Sequence, residues 1–71
     1  MVVDLLLNDY FDADEITGVL DYHGLEMTDR KYTALETVIT VDTGNSDMDE
    51  LDVREILEDE LLVGVEVLMV Y

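Results

Sequence analysis

The side chains with chemical capacity in this sequence are carboxylates. The stretch "SDMDELDVREILEDE", Ser46 to Glu60, carries eight of them and one Arg. Such a concentration can bind a divalent cation, work as an acid–base pair, or present negative charge to a cationic partner. Asp47, Asp49, Glu55 and Glu58 stand at offsets 1, 3, 9 and 12, the ligand offsets of an EF-hand loop. Leu51 occupies the fifth position, and Asp52 stands where that loop needs glycine. A helix is also expected to begin inside this window, so no metal site is expected. Acids are so frequent that no pair stands out as an acid–base couple.

The other catalytic residue types are scarce. His23, the sole histidine, follows Asp21 and Tyr22 and precedes Gly24. That setting resembles a helix C-terminus, where the dipole favours a cation, more than a catalytic base. There is no Cys, and no Ser–His arrangement suggests a nucleophile. Gly18, Gly24, Gly44 and Gly64 are dispersed and form no phosphate-binding loop. The chain is therefore not expected to be an enzyme or to hold a cofactor.

These carboxylates need a scaffold. The 71 residues suffice for one domain, residues 1–71, and about half are apolar. No apolar run reaches the roughly 20 residues of a membrane span, and "MVVDLLLNDY" lacks a basic leader region. A cytoplasmic protein is the expectation. The charge is the outlier: 19 Asp and Glu against Arg30, Lys31 and Arg54, a net of −16. Self-repulsion at that density opposes compaction. A disordered acidic tail does not explain it, because Leu51, Val53, Ile56, Leu57 and Leu61 lie inside the acidic stretch.

Two segments share a pattern at an offset of 40: Asp12, Glu15, Ile16, Gly24 and Glu26 align with Asp52, Glu55, Ile56, Gly64 and Glu66. Each begins with an apolar residue, then Asp, two residues, Glu and Ile, in the manner of a capping box with its hydrophobic staple. Asp12 and Asp52 are the expected N-caps, and helices are expected over about 13–22 and 53–61. Gly24 reads as a helix C′ residue. Gly64 is ambiguous, since Leu61 to Val63 already looks extended. The remaining segments look like strands: Val2–Leu7, a short "GLEM", Tyr32–Val41 and the run through "LVGVEVLMVY". Thr28–Lys31 is the expected hairpin turn, with Leu35, Thr37, Ile39 and Val41 on one face of the following strand. "DTGN" ends that strand.

The order is then β-α-β-β-α-β, an α+β, ferredoxin-like (split βαβ) sandwich. Right-handed crossovers place both helices on one face of an antiparallel sheet. The other face is open and is expected to show Val2, Asp4, Leu6, Glu36, Val38, Thr40, Glu66, Leu68 and Val70. The alternative is a small α+β domain with fewer strands, should Val2–Leu7 be a helical turn.

On the second helix, Val53, Ile56, Leu57 and Leu61 point inward. Asp52, Glu55, Glu58 and Asp59 then share the outer arc, flanked by Asp47, Asp49 and Glu50. Carboxylates one helical turn apart are spaced comparably to phosphates along a nucleic-acid strand. In size and acidity the whole chain resembles phage-encoded DNA-mimic inhibitors of the anti-CRISPR and anti-restriction type. The resemblance is compositional and carries no motif. It implies an inhibitory module with partner-binding residues Asp47, Asp49, Glu50, Asp52, Glu55, Glu58 and Asp59, which meets the basic surface of a nucleic-acid-binding protein in the host cytoplasm.

Direct nucleic-acid binding is not expected with three basic residues. Two other readings stand beside the mimic. The acidity could be an adaptation to concentrated salt, or the chain could be an assembly subunit whose open sheet face pairs two copies into a homodimer. Tyr10, Tyr22, Tyr32 and Tyr71 suit an interface or the edge of a core equally.

Overall fold

A computed structural model describes all residues, Met1–Tyr71. The element order is β1 (Val2–Leu7), α1 (Ala13–Tyr22), β2 (Glu26–Tyr32), β3 (Thr37–Asp42), α2 (Glu50–Leu61) and β4 (Val65–Val70). The four strands form one antiparallel sheet in the order β2-β3-β1-β4. This is the ferredoxin-like arrangement expected from the sequence.

Alternation builds the core. Val3, Leu5 and Leu7 of β1 and Thr37, Ile39 and Val41 of β3 are buried, while the residues between them are half-exposed. Ile16 and Leu20 of α1 and Val53 and Leu57 of α2 join the same apolar cluster. Both helices therefore cover one sheet face. Leu25 and Val65 complete an apolar cluster of eleven; burying a side chain of this size contributes about 1.5–3 kcal/mol, so this cluster supplies the main force opposing charge repulsion.

The first helix has the expected limits, with Asp12 as N-cap and Gly24 in the left-handed region at φ 72°. The second starts earlier than expected. Asp49, not Asp52, is its N-cap, and Asp52 is the N3 residue. Asp49 Oδ1 accepts from the Asp52 N–H at 2.9 Å, and Asp52 Oδ2 accepts from the Asp49 N–H at 3.1 Å. The staple moves with the cap: Met48 packs against the core one residue before it, and Val53 is buried at N4. Leu51, outside the expected helix of about 53–61, is helical and exposed.

α2 ends where expected, but the segment after it differs. Leu61 closes the helix, and Leu62, not Gly64, takes the left-handed conformation at φ 53°. Gly64 lies just before β4, where its carbonyl accepts from the Asn8 N–H at 2.9 Å. A Cβ there would stand 2.9 Å from Asn8 Nδ2.

The hairpin between β2 and β3 is displaced. Thr28–Lys31 is strand, and the turn is Thr33–Glu36, closed by the Thr33 N–H to the Glu36 carbonyl at 3.0 Å. Leu35 lies in this turn and is exposed, off the face where Thr37, Ile39 and Val41 are buried. An edge strand needs little apolar content, so the charged "TDRK" can extend there.

Two bulges complete the sheet. Thr28 is the extra residue between β2 and β3, and Leu68 the extra residue between β4 and β1. The second reverses the alternation of β4. Glu66 pairs with Leu6 and keeps its expected place on the open face, but Met69 pairs with Asp4 and Val70 with Val3. Val70 therefore leaves the open face, and Met69 and Tyr71 take its place.

Candidate protein-binding face

The expected binding residues are set out by α2 and the loop before it. Asp47 is exposed in that loop, and Asp49 and Asp52 hold the helix start through the reciprocal cap. Glu50, the first helical residue, is half-buried. Acids here lie at the positive end of the helix dipole, which stabilises them locally. Helix α2 thus forms because of its negative residues at one end and in spite of them elsewhere.

Beyond the cap, the acids divide between two sides of the helix. Asp52, Glu55 and Asp59 recur at steps of three and four, one stripe of a helix. With Met48 and Ile56 they line a shallow groove of about 330 Å³. Glu58 faces away from it, beside Leu51, Arg54 and Glu55. Its Oε1 accepts from Arg54 Nε at 3.3 Å and its Oε2 from the Val65 N–H at 3.4 Å. Glu58 is therefore committed to the α2–β4 junction and is the least available of the seven residues. The helix beginning at Glu50 also removes the loop that the calcium-ligand offsets would need, and no group of three or more His, Asp or Glu is arranged around a common point for a metal ion.

A second groove extends the acidic surface. Glu15, Gly18, Val19 and Tyr22 form one stripe of α1, and with Asp14 and Glu60 they line a depression of about 650 Å³. The stripe was legible as helical periodicity in the sequence. The arrival of Glu60 beside it was not. His23 caps α1 here, with Nε2 buried and 3.6 Å from Glu60 Oε1.

Taken together, residues 12–23 and 46–61 hold twelve of the nineteen acids and one of the three basic residues, Arg54. The molecule has one ion pair between charged side chains, Arg54–Glu58, and one contact of an acid with the imidazole, His23–Glu60. An exposed pair of the first kind contributes only about 0.3–0.5 kcal/mol. The charge of the helical layer is left to solvent or to a partner.

Arg30 and Lys31 lie on β2. Arg30 donates from Nη2 to the Phe11 carbonyl at 2.6 Å, and its guanidinium lies 4.4 Å from the Tyr32 ring centroid and 5.6 Å from that of Tyr10. Thr37 ties the same loop, donating to the Asp9 carbonyl at 3.0 Å and accepting from the Phe11 N–H at 3.2 Å. Tyr10 and Tyr32 thus belong to a structural clasp, whereas Tyr22 stands 84% exposed at the groove on α1.

The chain matches no protein-family model, no characterised protein and no solved structure. No helix is long and apolar enough to cross a membrane.

Proposed function

We propose that this protein is an inhibitory binding module whose helical layer takes the place of nucleic acid on the basic surface of a nucleic-acid-binding enzyme, such as a CRISPR nuclease or a restriction enzyme. One observation carries this reading: the helical layer gathers most of the acids, and almost none of them is neutralised within the fold. The stripe Asp52–Glu55–Asp59 with Met48 and Ile56 beside it combines charge with a small apolar floor. That combination suits the long aliphatic stems and charged heads of Lys and Arg. Steering by opposite charge would make capture fast and salt-sensitive.

The test is inhibition of purified nucleic-acid enzymes by the wild type and by the triple variant Asp52→Asn, Glu55→Gln, Asp59→Asn. Circular dichroism verifies that the variant is folded. Loss of inhibition by a folded variant supports the face, and full inhibition rejects it. The competing reading, acidity as adaptation to concentrated salt, requires the wild type to unfold at low salt. A cooperative fold in dilute buffer removes that requirement.

A further inference from the structure

The two edges of the sheet are built differently. The outer edge of β2 carries Glu26, Asp29, Arg30 and Lys31 and is interrupted by the bulge at Thr28. Charges and bulges of this kind block strand addition. The opposite edge, β4, has one charge, Glu66, in the whole of residues 61–71. Of the ten exposed large apolar side chains, five cluster here: Leu62, Leu68, Met69, Val70 and Tyr71. At the head of the strand Leu62 is 88% exposed and also holds the unfavourable φ of 53°.

The backbone of β4 has free pairing capacity. Gly64 and Tyr71 are turned toward β1, through Asn8 N–H to Gly64 C=O at 2.9 Å and Tyr71 N–H to Val2 C=O at 2.8 Å. Antiparallel alternation, with its one interruption at Leu68, directs the backbone groups of Val65, Val67 and Val70 outward. The Val65 N–H is already taken by Glu58. The N–H groups of Val67 and Val70 have no partner strand on that side.

We infer that β4 pairs antiparallel with β4 of a second copy of this chain, joining two four-stranded sheets into one. Three observations select a second copy. A strand pairing antiparallel with itself is self-complementary and closes under a twofold axis. The guarded β2 edge prevents the pairing from propagating into a filament. The β4 segment is also where two molecules of net charge −16 can meet with the fewest acids between them. The open face is a poorer meeting place, since Asp4, Glu26, Asp29, Asp42 and Glu66 stand on it against Lys31 alone.

The charge gives this association a distinctive sign. It brings like charges together, so it strengthens as salt shortens the screening length from about 30 Å at 0.01 M to about 3 Å at 1 M. Capture of a cationic partner by the helical layer weakens under the same change.

Sedimentation equilibrium of the full chain in dilute buffer and in about 1 M KCl tests the inference. The expected result is a dimer that tightens with salt. Val70→Lys and Leu68→Lys should each weaken it at least about tenfold with circular dichroism unchanged, while Val38→Lys on the open face should leave it intact. The amides of Val67 and Val70 should be protected from hydrogen exchange in the wild type and released on dilution to monomer. A wild type that stays monomeric at about 200 μM in about 1 M KCl, a condition that leaves any pairing weaker than about −5 kcal/mol, overturns the inference. So does a dimer indifferent to both edge variants or lost only in Val38→Lys. Should an edge variant unfold, the wild-type exchange pattern decides. None of these substitutions touches the helical acids, so the proposed inhibitory face stands or falls separately.

Discussion

Tyr71 donates its hydroxyl hydrogen to Asp4 Oδ2 at 2.6 Å, joining β1 to the residue that follows β4 across a separation of 67 residues. Asp4 Oδ1 accepts from Thr40 Oγ1, also at 2.6 Å. One carboxylate on the open face thus links β3, β1 and the β4 end of the sheet. The arrangement depends on the bulge at Leu68, which puts Tyr71 on the same face as Asp4.

The pair makes stability depend on pH at both extremes. The hydroxyls of Thr40 and then Tyr71 hold the Asp4 carboxyl below its ordinary 3.8, and the Asp4 carboxylate raises the Tyr71 phenol above its ordinary 10.0. A lowered acid stabilises fully above its unfolded pKa, and the gain disappears as pH falls through the folded value. A raised phenol stabilises fully below 10.0, and its gain disappears as pH rises through the folded value. Tyr71→Phe should lower the Tm only slightly near neutrality, because the hydrogen bond is exposed to solvent. Its gap from the wild type should narrow below pH 3.8 and again above pH 10.0 in melts across pH.

The two helix starts make a paired comparison. Asp49 has both halves of its capping box, whereas the Asp12 side chain makes no cap hydrogen bond. Asp49→Ala should destabilise by about 0.5–2 kcal/mol, the usual cost of a lost cap. Asp12→Ala should be close to neutral in urea unfolding, because it removes no hydrogen bond and relieves some repulsion.

Three backbone positions should respond with different signs. Gly18 lies inside α1 with nothing near its missing Cβ, so Gly18→Ala should stabilise by about 1 kcal/mol. Gly24 holds φ 72°, so Gly24→Ala should destabilise by about 1–2 kcal/mol. Leu62 holds φ 53° while almost fully exposed, so Leu62→Gly should stabilise by up to about 1 kcal/mol. Chemical denaturation of the three variants checks the order.

The Tm should rise with KCl and then level off, because screening relieves the repulsion among nineteen acids that the Arg54–Glu58 pair does not offset. Melts in KCl and in a neutral osmolyte of matched osmolality separate screening from general exclusion effects. A Tm indifferent to salt would mean the acids are spaced widely enough to ignore one another.

The sequence by itself determined the order of elements and the core-facing side of β1, β3, α1 and α2. Val3, Leu5 and Leu7 alternate, Ile39 and Val41 alternate, and Ile16, Leu20, Val53 and Leu57 recur at helical steps. These signals are local, because the periods of a strand and a helix are properties of the backbone alone. The limits of α1 were legible for the same reason, through Phe11, Asp12 and Gly24.

Tertiary structure decided what local patterns left degenerate. Asp49 and Asp52 each stand three residues before another acid, so either could cap α2. The packing of Met48 on the core selects Asp49. The placement of β2 at an edge lets "TDRK" be strand and moves Leu35 into a turn, because an edge strand has one side in water. The bulge at Leu68, which exists only in the register of β4 against β1, exchanges Val70 for Met69 and Tyr71 on the open face. The acids of the candidate face could be named from the chain. Which stay free, which serve the cap and which, like Glu58, are bound to a strand depended on groups distant in sequence meeting in space.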